Sequence, residues 1–279
     1  MIHRSFYSWS ALSHRIIILL VRFDLCKMKK EKYTTIEKAG AVALLLVLWQ
    51  AAAMAVGEKL LLASPADVLV RLSVIIREPD FRSAVGFSFV RITEGFFLAL
   101  ALGCALAVLS GRFRIIEVAL SPFFAAVKSV PVASFIVLAL IWFDSENLSV
   151  VMSLLICLPV VYQNVLTGIR NIDPKMNQMA DLYHVKWGKR LIYIWMPQVR
   201  PYLISACRTA IGFSWKSGVA AEVIGMPSGS LGEKIYQAKI YFDTAELFAW
   251  TIVIVLVSIL FEKVFGWLLQ KLFEKGELL

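Results

Sequence analysis

The sequence predicts an all-α membrane protein of about six transmembrane helices. Three observations carry this. First, 59% of the 279 residues are hydrophobic and the mean hydropathy is +0.74, whereas soluble domains hold roughly 45–50% apolar residues. Second, the excess is gathered into uncharged runs at 39–57, 95–111 and 147–169, each close to the roughly 20 residues a helix needs to cross a bilayer core. Third, Lys and Arg collect in alternate connecting segments, the pattern that orients membrane helices.

Taken in order, residues 1–27 hold one short apolar run, Ile16 to Val21, between Arg15 and Arg22. It is too short to span and lacks a small-residue cleavage site, so it is a poor signal peptide. The expectation is that 1–27 are a non-native extension or a disordered tail, with translation starting at Met28. Residues 28–83 are expected to hold the first span and an extracytoplasmic segment, and 84–272 a five-helix core with a loop at 170–197. Spans are expected at 37–57, 84–110, 116–142, 148–169, 201–224 and 245–268.

The segments before span one (Lys27 to Lys38), between spans two and three (Arg112, Arg114), between spans four and five (Arg170 to Arg200) and after span six (Lys271, Lys275) are basic. All fall on one side if six spans alternate, which puts both termini in the cytoplasm. The segment 58–83, with Lys59, Arg71, Arg77 and Arg82, is the exception. Pro122, Pro131 and Pro159 interrupt spans three and four, as static kinks or as parts of a moving gate. Arg91 and Glu94 are expected to pair on one helix face.

The loop 170–197 is the most informative stretch. Asp173 suits a helix cap and Pro174 a first turn. Met176, Met179, Ala180 and Tyr183 then recur at helical spacing. This predicts a helix over 174–186 with one apolar face. From Lys189 to Met196 the chain is expected to lie against the bilayer, rich in Tyr and Trp, before Pro197 turns it into span five. Two readings stay open: an interfacial loop whose charge only fixes topology, or a docking helix for a groove on a cytoplasmic partner.

Charges inside spans are costly and face a bundle interior or a wet cavity. Lys128, Arg208, Lys216 and Glu222 are the candidates for lining a translocation path. Arg208, Trp215 and Glu222 share a stripe by sevens, and Gly212, Lys216 and Ala220 a neighbouring one by fours. Two buried cations would attract an anion. A structural ion pair with Glu222, Glu94 or Glu117 accounts for the same charges.

Several chemistries are missing from the sequence. No GxxxxGK[ST] loop is present to cradle phosphates, the three histidines are scattered and form no HExxH site, and no Ser-His-Asp set emerges. Cys26, Cys104, Cys157 and Cys207 form no CxxC pair and read as packing residues. The net charge of +9 comes with no basic stripe interleaved with aromatics, which argues against nucleic acid. The expectation is a transport subunit that is not an enzyme and binds no metal or cofactor itself.

The docking loop resembles that of the bacterial ABC importer permeases, whose motif runs Glu-Ala-Ala, three residues, Gly, nine residues, Ile-x-Leu-Pro. Anchored on Ile194-Trp195-Met196-Pro197, the Gly position falls on His184 and Glu-Ala-Ala on Gln178-Met179-Ala180. Ala180, Ile194 and Pro197 match; Gln178, His184 and Met196 depart. Further pieces resemble the aliphatic sulfonate, taurine and nitrate branch in order and spacing. They are Ser64-Pro65 with Val68-Leu69, Arg91-Ile92 with Gly95-Phe96, Ser121-Pro122, Val130-Pro131, Ile141-Trp142-Phe143, Ile169 to Pro174, Pro201-Tyr202, and Ala220-Ala221-Glu222 with Gly225. The resemblance covers about Leu62 to Phe265.

The resemblance implies type I permease architecture with a coupling helix between spans four and five. It implies a bacterial inner-membrane location among lipid. Its partners would be a cytoplasmic ATP-binding subunit dimer that binds the ATP, a second copy of this chain, and an extracytoplasmic solute-binding protein. The solute would be a small anion such as a sulfonate, taurine or nitrate. The coupling residues would be Asp173, Pro174, Met176, Gln178, Met179, Ala180, Asp181, Tyr183, His184, Gly188 and Pro197. Since His184 is not the Gly that eases the turn, Gly188 is expected to make it. The rival is an ATP-independent secondary transporter or membrane anchor subunit, which the lack of a visible inverted repeat disfavours.

Overall fold

The computed structural model describes residues 35–58 and 61–275, and among them every regular element is helical. The chain divides into two units, residues 1–55 and 56–279. The first unit's described part is α1 (Thr35–Val56), which includes the apolar stretch Gly40–Val56. The expected tail at 1–27 lies outside the described residues.

The second unit begins with α2 (Pro65–Ile75), where Ser64 caps the helix by accepting from the Asp67 N–H at 3.2 Å and Pro65 occupies the first turn. Then come α3 (Phe81–Arg112), α4 (Arg114–Ser129), α5 (Val132–Ala139) and, after a 3-10 turn at Ser145–Asn147, α6 (Leu148–Arg170). The loop 170–197 holds α7 (Pro174–Leu182) and α8 (Trp187–Arg190). A π-turn at Leu191–Trp195 leads into α9 (Met196–Gly225). α10 (Leu231–Ile240) and α11 (Thr244–Lys275) complete the chain. α3, the 145–170 helix and Thr244–Leu269 are long and apolar enough to cross a membrane, and α4 with α5 makes a fourth crossing if the bent pair is one span.

α6 is the axis of this unit, with α3 on one flank and α9 on the other. Small residues let the backbones meet. A Cβ added at Gly95 would lie 2.4 Å from the Val150 carbonyl oxygen, and one at Gly103 would lie 2.8 Å from the Val161 side chain. These pairs advance together, so α3 and α6 run parallel. Against α9 the order reverses: Gly168 meets Tyr202, Cys157 donates to the Ala210 carbonyl at 3.1 Å, and Ser153 donates to the Ser214 carbonyl at 3.1 Å. Close approach through small residues is how helices associate where lipid removes the hydrophobic drive between them.

α11 lies along α3 through an aromatic seam. Phe96 meets Phe261 and Phe265 edge-on at 5.8 and 5.2 Å, and Phe81 stacks on Trp250 at 5.8 Å. Arg71 of α2 fastens the start of α11 through Glu246 at 2.6 Å. That hydrogen bond holds the Arg71 guanidinium above its ordinary pKa.

The expected single span at 116–142 is instead two helices, α4 and α5, at 104° to each other. Pro131 disfavours α geometry at the residue before it, and Val130 sits at φ −80, ψ 132. The pair still crosses the unit. Glu117 near its start bonds Arg170 at the end of α6, and Ile136 of α5 packs with Leu148 and Met152 at the beginning of α6. The expected Arg91–Glu94 pair does not form either. Arg91 reaches across to Asn147 at 2.5 Å and Glu146 at 3.4 Å, and lies over the Phe87 ring. Acceptors in the turn before α6 outcompete a neighbour on the same helix.

Candidate functional site

Asp173 caps α7, its carboxylate accepting from the Lys175 N–H at 2.8 Å, and Pro174 fills the first turn. The helix stops at Leu182, four residues before the expected end at 186. Its end is a Schellman turn: the Val185 N–H reaches the Ala180 carbonyl at 2.9 Å and the His184 N–H the Asp181 carbonyl at 3.1 Å. His184 itself adopts φ 49, the left-handed position usually given to glycine. The expectation that Gly188 makes the turn is therefore corrected: Gly188 lies inside α8. Histidine is one of the few side chains enriched at positive φ.

The apolar stripe divides in two. Ala180 is buried at 1% exposure and forms the inner contact. Met176, Met179 and Tyr183 stay exposed, joined by Leu182, which helical spacing from Met176 did not single out. Gln178 and Asp181 are exposed beside them, and Asp181 pairs with Arg190 at 2.9 Å.

Beneath α7 the loop is braced by residues that sequence reasoning missed. Arg190 donates to the Asn177 carbonyl at 2.6 Å, Trp195 Nε1 donates to the Asn177 side chain at 2.9 Å, and Arg190 lies over the Trp195 ring. Two further bonds tie the approach to α9. The Asp173 N–H donates to Gln198 at 2.8 Å, and Asn171 donates to the Tyr202 hydroxyl at 3.0 Å. A Trp and an Arg following a capped amphipathic helix were the available signal.

The chain makes no turn at Pro197. α8, the π-turn and α9 follow without a break, with helical dihedrals at Leu191 and Met196. Pro197 needs no corner because proline is tolerated in a first turn, and the wider π-turn precedes it.

The four candidate path residues separate into two environments. Arg208 and Lys216 are exposed on one stripe of α9 with Ser205 and Gly212, and have no acidic partner among the described residues. Lys128 is exposed on α4 and bonds Gln163 of α6. The ion pairs allowed for with Glu222, Glu94 or Glu117 do not form to these cations; Glu117 is taken by Arg170. Trp215 and Glu222 are spaced by sevens from Arg208 but buried, because α3 covers that part of the stripe with Phe89 and Ser88.

Glu222 is fully buried and belongs to a helix cap. Its Oε2 accepts from Ser88 Oγ at 2.6 Å and from the Gly232 N–H at 3.2 Å. Ser88 Oγ in turn accepts from the Leu231 N–H at 2.9 Å, and Ser230 Oγ accepts from the Glu233 N–H at 3.0 Å. The first three amides of α10, which no helix can satisfy internally, thus all find side-chain oxygens. Gly232 permits this: a Cβ there would stand 2.3 Å from that of Glu222.

These features have relatives. The family described as binding-protein-dependent transport system inner membrane component matches residues 99–276. The chain is 26% identical over 236 residues to a protein of Bacillus subtilis (strain 168) named as an aliphatic sulfonates transport permease, covering 83% of this chain and 84% of that one. It is 28% identical over 200 residues to the nitrate import permease protein of Synechocystis sp. (strain ATCC 27184 / PCC 6803 / Kazusa), covering 68% and 72%. Among solved structures, an amino acid ABC transporter crystallised with histidines matches with a TM-score of 0.53 at 20% identity, covering 73% of this chain and 97% of that one. That likeness supports the fold. The fold and the family match agree, and this chain belongs to the binding-protein-dependent transport system inner membrane components, the permease subunits of ABC importers.

Proposed function

We propose that two copies of this chain form the path for a small anion, each with six spans and both termini in the cytoplasm, and that α7 docks on a separate ATPase that binds the ATP. The observation that carries the anion path is the stripe Ser205–Arg208–Gly212–Lys216. It is open to the outside of one protomer and holds two cations without acids. Unpaired charges at membrane depth do not face lipid, so the stripe fits against a second copy and a wet path between the two. Lys128 and Gln163 add polar groups on α4 and α6. Sulfonate and nitrate, in the names of the two relatives, are both anions.

The exposed Met176, Met179, Leu182 and Tyr183 on a braced helix suit a groove on the ATPase. Coupling then requires that α7 bind the nucleotide states of that subunit with different affinity. An extracytoplasmic binding protein delivers the solute at the opposite end, where α10 and the Arg91–Glu146 contact lie.

The test is ATP-driven uptake by the complex, with its binding protein, in proteoliposomes. Lys216→Met is expected to reduce uptake of a sulfonate or nitrate about tenfold below saturation, as loss of about 1.4 kcal/mol of Coulomb attraction in a partly wet path predicts. Met179→Asp is expected to uncouple uptake from ATP hydrolysis. Undiminished anion uptake by Lys216→Met at equal expression overturns the anion path, and undiminished coupling in Met179→Asp overturns the docking role.

A further inference from the structure

Where α3 ends, α4 begins and α6 ends, a cavity of about 750 Å³ opens at the docking-loop end of the unit. This is within the roughly 300–1,000 Å³ typical of small-molecule sites. Arg112, Arg114 and Arg170 line it together with Glu117, Ser110 and Ser121. Glu117 is its only acid and is bonded to Arg170. Arg112 and Arg114 have no acidic partner among the described residues.

The convergence of cations is built into the helices. Arg112 and Arg170 sit in the last turns of α3 and α6, where the helix dipole welcomes positive charge, while the N-terminus of α4 adds to it. Phe113 caps α4 without a side-chain hydrogen bond; its carbonyl takes the Ile116 N–H at 3.1 Å, which leaves the Arg114 and Ile115 amides for a ligand. With about half a charge assigned to each helix end, the cavity carries roughly +1.5. None of the residues lining the cavity belongs to α9, and Lys128 is on α4 some 14 residues beyond Arg114, about 20 Å along a helix, so this cavity is distinct from the path candidates.

We propose that this cavity binds the phosphate of an anionic phospholipid headgroup at the membrane surface. Planar guanidinium groups match phosphate oxygens, serine hydroxyls supply further donors, and the opening lies at the end of crossing helices, at headgroup depth. A basic pocket between helix ends at that depth is suited to anionic lipid. Bound there, the phosphate bridges Arg112 and Arg114 to Arg170, which is three residues from the cap of the docking helix at Asp173. The inference needs only that this end of the unit meets a headgroup layer. It does not depend on which solute is carried or on ATP coupling.

The experiment is native mass spectrometry of the intact transporter complex, purified in detergent and loaded in parallel with phosphatidylglycerol, cardiolipin or phosphatidylcholine. The wild type is expected to retain phosphatidylglycerol and cardiolipin over phosphatidylcholine. Each Arg→Gln change at 112 or 114 is expected to lower that retention about fivefold, at about 1 kcal/mol per cation near an anionic headgroup. Arg77→Gln, in the turn after α2 and away from the cavity, is expected to leave it unchanged. Glu117→Gln, which frees Arg170, is expected to raise it. That rise separates a binding role from mere loss of fold.

A second arm adds inorganic phosphate in excess over the lipid. If phosphate displaces no lipid, the headgroup is the ligand. If phosphate alone protects the complex and lipid retention is the same in all variants, the site belongs to free phosphate and the lipid proposal is overturned. Equal retention of all three lipids overturns it as well, as does no change in either Arg→Gln variant.

Discussion

The cap on α10 gives the sharpest energetic prediction. Glu222→Ala deletes an acceptor that takes the Ser88 hydroxyl at 2.6 Å and the Gly232 amide at 3.2 Å, in a place with no water-accessible substitute. Hydrogen bonds to a carboxylate contribute about 1.5–3 kcal/mol each, and buried donors left unmade lose their desolvation cost in full. The two bonds together set the expected loss at about 3–6 kcal/mol. Glu222→Gln keeps an oxygen in place and should lose only about 1–2 kcal/mol. The assay is unfolding of the purified complex by SDS in mixed micelles, followed by tryptophan fluorescence, with proteolysis of the 226–244 segment as a local readout. The ordering Ala well below Gln, with cleavage of that segment appearing first, is what the cap requires. A Glu222→Ala protein within 0.5 kcal/mol of wild type would refute the reasoning.

The helix contacts and the docking turn give further predictions. Gly95→Ala should lower the unfolding temperature by several degrees, because its Cβ meets the Val150 carbonyl at 2.4 Å, whereas Gly86→Ala, with nothing within 4 Å, should be neutral or slightly stabilising. His184→Ile should cost about 1–2 kcal/mol in the docking loop, since a β-branched residue resists φ 49. His184→Gly should change it by less than about 1 kcal/mol, because relief of backbone strain is offset by greater freedom of the unfolded chain. Hydrogen exchange of the amides from 174 to 190 reads both.

What the sequence made legible followed from regular spacing. Uncharged runs located α1, α3 and α6, and Asp173-Pro174 located the start of α7, because run length and capping chemistry act within a few residues. The bend at Val130 was marked by Pro131 but its size was not, since a proline sets one dihedral and the packing of Ile136 on Leu148 and Met152 sets the rest. Arg91 was misjudged because Asn147 and Glu146 are 55 or more residues away in sequence. Glu222 was recognised as unusual, but its role as a cap depends on Ser88 and Gly232, which only the fold brings to it. His184 looked like a defect in a glycine position, yet it adopts the glycine conformation, because the Schellman bonds of Val185 and His184 hold it there.

Helix continuity shapes the coupling proposed for α7. Had the chain turned at Pro197, displacement of α7 would have been absorbed in a flexible corner. Instead α8, the π-turn and α9 run from Trp187 to Gly225, a rod of about 55–60 Å at 1.5 Å per residue. At its lower end Arg190 and Trp195 grip Asn177 of α7, and Gln198 and Tyr202 hold the residues just before that helix. Midway it carries Arg208 and Lys216. At its upper end Glu222 holds the N-terminus of α10. A push on α7 by the proposed ATPase would therefore reach the cations and the far-end cap through one continuous helical element. The weakest link is the π-turn, where the regular α hydrogen-bond ladder is interrupted, and it lies beside the docking clamp, so any bending of the rod is concentrated where the ATPase is proposed to act.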